Sequence, residues 1–183
     1  MSLNSIVDTF ECILSKFEVR EFDEKPISRE IKMKILEAAR STGTGLNTQH
    51  WRFILVENKE NLKLLAKDSL SGKWIENSNF AIIILTNPKY GFHLIDAGRV
   101  LQNMQLTAWN YGIGSGLYTK VDDSKLKNDF KIPTELNPSV ILGFGYSKKN
   151  FKNKTKDRIP IDKLVYKEIY GENINLIENI RSD

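Results

Sequence analysis

The side chains that most often perform catalysis are scarce in this chain of 183 residues. The two histidines, His50 and His93, fall in different predicted elements and so give no metal-ligand spacing. Neither belongs to a nucleophile motif, which argues against a serine hydrolase. The single cysteine, Cys12, lies beside the apolar stripe of a predicted helix and is most simply a small buried residue. The sequence therefore predicts neither a metal site nor a catalytic side-chain nucleophile.

A glycine-rich run at Gly112–Gly116 invites comparison with the fingerprint of dinucleotide-binding folds. The run follows a predicted helix rather than a strand, and Leu117 stands where a further glycine would be needed. It therefore gives no support for a Rossmann-type dinucleotide site.

Loops and basic side chains offer a different chemistry. Four segments combine glycine, small polar residues or cations: Lys16–Arg20, Thr42–Trp51, Gly112–Gly116 and the basic stretch around Lys156 and Arg158. Cations can hold a phosphate, and glycine lets backbone N–H groups approach a planar ring. Together these segments indicate an anionic ligand that has a large planar polar part.

Alternating helices and strands must position these segments. Apolar residues at helical spacing predict helices over residues 4–16, 29–41, 59–69 and 93–111. Apolar, β-branched runs predict strands over 51–57, 80–86 and 139–145. These interleaved elements, with no linker between them, predict one domain of layered helices and sheet. Helix 93–111 is apolar almost all round, which indicates either a central helix or a subunit interface.

Composition and charge exclude several classes of protein. The formal net charge is +4, with 40% hydrophobic and 27% charged residues, as in an ordinary globular protein. Six basic residues face one acid between Lys148 and Arg158, which leaves a solvated loop, an anion site and a nucleic-acid surface open. Only one aromatic residue interrupts that stretch, which disfavours nucleic acid. The longest apolar run, Phe80–Leu85, is too short to cross a bilayer. With no secretory signal pattern and one cysteine, we expect a cytoplasmic protein that binds neither membrane nor nucleic acid.

Six short motifs follow one another in a fixed order along the chain. They are Lys16-x-x-Val19-Arg20-x-Phe22, Asn47-x-Gln49-x-Trp51-x-Phe53, the helix from Asp96 to Asn103, Tyr111-Gly112-Ile113-Gly114-Ser115, Leu142-Gly143-Phe144-Gly145-Tyr146 and Lys156-Asp157-Arg158-Ile159-Pro160. In this order the sequence resembles the FMN-dependent nitroreductase family over about residues 14–171. The element from Asn47 to Phe53 is the most specific part of the resemblance.

The resemblance implies an α+β fold, the nitroreductase-like α/β sandwich, in which helices flank a central mixed sheet. It implies a single domain over residues 1–183 that forms an intertwined homodimer, with FMN bound in two sites at the interface. Residues 172–183 would then either wrap around the partner subunit or fray.

Site residues carried over from the resemblance divide by the part of FMN that they would hold. Lys16, Lys156 and Arg158 would hold the phosphate, and Arg20 would lie near the ribityl chain or the pyrimidine edge. The residues expected to line the ring or to present backbone donors to it are Gly43, Thr44, Gly45, Leu46, Asn47, Gly112, Ile113, Gly114 and Ser115. No side chain is expected to be catalytic, because flavin N5 would carry the chemistry.

The function that the resemblance implies is that of an NAD(P)H-dependent flavoprotein oxidoreductase. FMN would take a hydride from NADH or NADPH and pass it to a small conjugated acceptor, such as a nitroaromatic, a quinone or an enone. Two alternatives stay open. One is a dimer that binds flavin without catalysis, and the other is a specialised member with dehalogenase-like or flavin-fragmenting chemistry.

Two departures from the family pattern bear on the expected site. The usual Arg-Arg-Ser start is Lys16-Phe17-Glu18 here. Phe17 cannot pair with a phosphate, and Glu18 would repel one if it pointed inward. The usual proline of the Asn-x-Gln-Pro-Trp element is His50, which either replaces a turn residue or contacts substrate in the pocket. We therefore expect weaker flavin binding than in a typical member.

Overall fold

An antiparallel sheet is the centre of the first of two compact units, which divide between Asn150 and Phe151. Its strands are β1 (Arg52–Val56), β2 (Phe80–Thr86), β3 (Gly114–Tyr118) and β4 (Asn137–Gly145). In this computed structural model, which describes residues 8–151 and 154–174, they pair in the order β1-β2-β4-β3. All seven residues of β2 are buried, because this inner strand is packed on both faces.

Helices lie on both faces of the sheet. They are α1 (Thr9–Ser15), α2 (Arg29–Arg40), α3 (Lys59–Asp68), α4 (His93–Asn110) and α5 (Asp123–Asp129). Successive residues of β2 point to opposite faces, so Ile82 shares a buried cluster with Val100 of α4. Its neighbour Ile83 packs instead with Leu62 of α3 and Leu126 of α5. The unit is thus a three-layer sandwich with the sheet in the middle.

The α+β class predicted from the sequence is confirmed, and three predicted helices and three predicted strands appear with ends displaced by two residues at most. The remaining predicted helix, 4–16, corresponds to α1, and residues 1–7 lie outside the described residues. Neither β3 nor α5 is predicted. The expected mixed sheet is corrected for the described residues: all three strand pairs are antiparallel. In this unit the parallel pairing among the described residues is the isolated bridge between Glu18 and Ser115.

The second unit, described for residues 151 and 154–174, has little regular structure. It contains a 3-10 turn at Ile161–Lys163 and an isolated bridge between Tyr166 and Asn173. Several of its large apolar side chains are exposed, namely Ile159, Ile161, Leu164, Ile169 and Tyr170. Most of the predicted tail, residues 175–183, lies outside the described residues. None of the helices in the described part of the chain has the length and apolar content to cross a bilayer.

Asp68 is a buried carboxyl group whose oxygens have no hydrogen-bond partner among the described residues. The residue is 1% exposed at the end of α3. Burial raises the pKa of Asp68 above its ordinary 3.8, and the nearby charge of Asp129 adds to the rise. The folded state therefore holds this proton more tightly than the unfolded state does.

Replacing Asp68 with Asn is expected to stabilise the protein at neutral pH. Since the folded-state pKa is the higher one, the wild type loses unfolding free energy as the pH rises from about 3.8 through the folded pKa. Urea unfolding of Asp68→Asn and wild type at several pH values measures the difference. The difference in unfolding free energy between the variant and wild type should be largest near pH 7 and should shrink towards acid pH. Glu135→Gln, which removes an exposed charge, serves as the control, and a gap that does not change with pH would contradict the expectation.

Candidate functional site

The segment Lys16–Arg20 is attached to β3 through backbone contacts. The N–H of Val19 donates to the carbonyl oxygen of Ser115 at 2.8 Å. A Cβ on Gly114 would lie 2.6 Å from the Val19 side chain, and one on Gly116 would strike the Val19 carbonyl oxygen. The two glycines are therefore what allows the segment to lie this close to the strand.

Two groups beside this segment are left without a polar partner. The Arg20 guanidinium lies over the Trp74 ring, 5.9 Å from its centroid, and makes no hydrogen bond or ion pair within the described part of the chain. The Ser115 hydroxyl is buried and has no hydrogen-bond partner there either. The buried hydroxyl is the kind of group that a polar ligand would satisfy, and the solvent-exposed cation is available to an anionic one.

Lys16 differs from Arg20, because its charge is already paired. Its ammonium contacts the carboxylate of Glu18, and the Lys16 side chain is 10% exposed. Gln105 of α4 donates to both oxygens of the same carboxylate, at 3.2 and 3.3 Å. Glu18 thus points at Lys16 and α4 rather than away from them.

The loop before β1 has an uncommon backbone. A 3-10 turn spans Gly45–Asn47, and Leu46, Asn47 and Gln49 all have positive φ, of 52°, 52° and 46°. Left-handed residues other than glycine cost about 1 kcal/mol or more each, so other contacts must hold them. One is the hydrogen bond from the Gln49 N–H to Thr44 Oγ1, at 2.9 Å.

A buried carboxylate, Asp96 in the first turn of α4, holds this loop to the helix. It is 1% exposed and accepts hydrogen bonds from the Gly45 N–H at 3.0 Å, His50 Nε2 at 3.1 Å and Arg99 at 3.3 Å. The helix N-terminus adds favourable partial charge. A Cβ on Gly45 would lie within 2.8 Å of the Phe92 ring, so only glycine fits between the loop and this ring.

His50 supports the loop from inside the protein. Its side chain is 2% exposed, and its ring lies 5.2 Å from that of Tyr90, centroid to centroid. Nδ1 accepts from the Asn87 N–H at 3.3 Å, which leaves Nε2 to carry the proton that Asp96 accepts. Of the two roles expected for His50, the buried ring fits the turn residue better than the substrate contact.

The structure brings some of the predicted residues together and keeps others apart. Lys16 and Arg20 lie with Gly114 and Ser115, whereas Gly43–Asn47 lie with Asp96. Asp96 and Gln105, the α4 contacts of the two groups, are nine residues apart, which places them about half a turn from each other around the helix. Within one chain the two groups therefore sit on different sides of α4.

The remaining predicted residues are placed as follows. Gly112 has a φ of 72° with open space around it, and Ile113 is fully buried. Arg158 is exposed and Lys156 half-buried, both in the second unit. Two cavities, of about 510 and 470 Å³, lie elsewhere: neither is lined by a residue of the predicted cofactor set.

Sequence reasoning does not find Asp96 or Gln105 as site residues. Asp96 occupies the buried stripe of α4 that continues through Val100, Met104 and Ala108, each four residues on. An acid on such a stripe is rarely buried unless it is paired, and this is the signal that could have revealed it. Gln105 carries no comparable signal, because amides are common on helices.

The fold is that of the nitroreductases. The structure of an FMN-dependent nitroreductase from Clostridium difficile R20291 matches 80% of this chain and 91% of its own, with a TM-score of 0.74 and 24% sequence identity.

The chain belongs to the Nitroreductase family, whose family model matches residues 13–79 and 66–146. A protein from Archaeoglobus fulgidus, named "Putative NADH dehydrogenase/NAD(P)H nitroreductase", is 29% identical over 150 residues, 77% of this chain and 86% of its own. A protein of the same name from Methanothermobacter thermautotrophicus is 26% identical over 170 residues, 87% of this chain and 89% of its own. The predicted family, fold and oxidoreductase class are thus confirmed.

Replacing His50 with Leu is expected to loosen the loop and destabilise the protein. The substitution leaves the buried Asp96 and the Asn87 N–H each without one partner, at a cost of about 3 kcal/mol in unfolding free energy. Urea unfolding measures that cost, and hydrogen exchange at the Gly45 amide reports on the loop.

The second histidine provides the control. His93, half-buried at the start of α4, has its ring partner in β2, where Thr86 Oγ1 lies 2.8 Å from His93 Nδ1. His93→Leu should leave exchange at Gly45 unchanged. Equal exchange at Gly45 in His50→Leu and wild type would show that His50 does not support the loop.

Proposed function

We propose that the protein is an FMN-dependent oxidoreductase that transfers a hydride from NADH or NADPH to a small conjugated acceptor, such as a nitroaromatic, a quinone or an enone. The observation that carries this proposal is the unpaired Arg20 guanidinium beside β3, together with the unsatisfied Ser115 hydroxyl. The name of the Clostridium structure supports FMN, and the names of the archaeal relatives support NADH or NADPH as the donor. We also propose that the protein is located in the cytoplasm.

The protein's part in this chemistry is to bind, orient and polarise. When bound, FMN supplies the redox step, in which N5 takes up a hydride and passes it on. Arg20 would place a fixed positive charge at the pyrimidine edge, where negative charge develops on reduction. Backbone N–H groups between Gly112 and Ser115 would orient the ring without a titrating side chain. Lys16 would contribute to holding the phosphate.

A second copy of this chain is the proposed partner, because one chain keeps the two groups of site residues on different sides of α4. In a homodimer, the Lys16–Arg20 segment of one subunit could face the Gly43–Asn47 loop of the other. Apolar side chains of that loop and of the first turn of α4 are left uncovered: Leu46 is 91% exposed, Leu94 59% and Ile95 68%. Exposed apolar groups of this size favour burial against a partner.

An anaerobic titration tests the proposed activity. FMN-reconstituted protein is expected to lose its flavin absorbance on addition of NADH or NADPH, and a nitroaromatic or quinone should restore it. Arg20→Gln should bind FMN about tenfold more weakly, because a charge-assisted contact is lost. Arg29→Gln, an exposed cation at the start of α2, should bind like wild type. Bound flavin that neither donor bleaches would mark a flavin binder rather than a reductase, and unchanged affinity in Arg20→Gln would remove Arg20 from the site.

Sedimentation equilibrium tests the proposed dimer. Wild type is expected to sediment as a dimer, and Ile95→Glu as a monomer with weakened FMN binding, because a charge at a buried apolar contact is costly. Leu70→Glu alters a leucine that is 74% exposed outside α4 and should remain dimeric. A dimeric Ile95→Glu would place the interface elsewhere.

A further inference from the structure

A cation and an anion of the chain neutralise each other at the place where a phosphate is proposed to bind. The Lys16 ammonium is paired with the Glu18 carboxylate, and only 10% of the Lys16 side chain is exposed. Because the Lys16 side chain is so well covered, few other groups can reach its ammonium. In the absence of ligand, its charge is therefore compensated by its own chain.

The carboxylate is also fixed from a second element. Gln105 is 1% exposed, and its amide donates to both carboxylate oxygens at 3.2 and 3.3 Å. These bonds satisfy a buried donor that would otherwise be left unpaired. Although 43% of its side chain is exposed, Glu18 is thus held on two sides, by Lys16 and by α4.

We propose that Glu18 acts as a counter-anion to Lys16, so that the phosphate of FMN adds little to the binding affinity. Riboflavin and FMN then bind with similar affinity. This inference rests on the proposed function. An incoming phosphate must either displace Glu18 from Lys16 and Gln105 or bind beside a like charge. Either course offsets most of what the phosphate gains from Lys16. The uncharged ribityl end of riboflavin meets neither cost.

The effect is confined to one end of the site. Arg20, two residues beyond Glu18, has no polar partner among the described residues, and its proposed contact is with the part that both flavins share. Charge compensation at Lys16 therefore alters the preference between the two flavins and leaves the binding of their common ring unchanged.

The test compares the affinities of FMN and riboflavin, measured by flavin fluorescence, for wild type and Glu18→Gln. Wild type is expected to bind the two flavins within about fivefold of each other. In Glu18→Gln, FMN should bind about fivefold more tightly, the effect of one partly exposed charge pair. Riboflavin affinity should not change, and it also reports whether the variant is folded.

Two further variants separate this effect from general charge. Glu21 lies in the same stretch of chain, and its carboxylate pairs with Lys149 at 2.5 Å. Glu21→Gln removes an equal charge and should change neither affinity. Adding Lys16→Met to Glu18→Gln should abolish the gain for FMN, since that gain is proposed to act through Lys16.

The outcomes distinguish this inference from the proposed function. If wild type binds FMN and Glu18→Gln binds it no more tightly, the inference fails while the proposed cofactor stands. The same holds if Glu18→Gln gains equal affinity for both flavins. A wild type that prefers FMN by a hundredfold would also overturn it. A wild type that binds riboflavin but fails to bind FMN would overturn it as well. No flavin binding in either protein would overturn both.

Discussion

The buried carboxylate of Asp96 is the constraint on which the Gly43–Asn47 loop and its neighbours depend. A charge this deep in the fold must be surrounded by donors, since burying it unpaired would cost more than most single interactions can return. Its donors come from the loop, from the residue that leads into β1 and from α4 itself. Satisfying one charge therefore fixes the loop, the start of the sheet and α4 relative to one another. The left-handed backbone of the loop can persist because of that bracing.

Elements with strong periodicity could be predicted from the sequence, and elements without it could not. The apolar run of β2 and the stripe of α4 each have a pattern that few other structures satisfy. The strand β3 could not be predicted, because two of its five residues are glycine, a residue that usually marks a turn. Its conformation is set by tertiary contacts, namely its pairing with β4 and the hydrogen bond from Val19, which lies some 95 residues earlier.

The same limit applies to the site. Glycines and cations could be proposed by type as groups that cradle a planar anion, whereas their individual roles follow only from the resemblance to the family. The partners of those groups could not, since Gln105 approaches Glu18 across 87 residues of sequence and Asp96 approaches His50 across 46. Which side of α4 each group occupies depends on helix geometry and packing together. Assignment by residue type alone combines these residues into one site, whereas a single chain holds them as two groups on different sides of α4.

The attachment of the Lys16–Arg20 segment to β3 has a consequence for how such proteins diversify. The contacts that hold the segment are made by backbone atoms and by Val19, and they require Gly114 and Gly116 to stay bare. The charged side chains at positions 16, 18 and 20 make none of these contacts with β3, although Glu18 also accepts hydrogen bonds from Gln105 of α4. A lineage can therefore exchange these charges one at a time, and so retune what its site accepts, without unfolding the scaffold. Substitutions at positions 16, 18 and 20 can therefore change the ligand preference, whereas Gly114 and Gly116 must remain glycine.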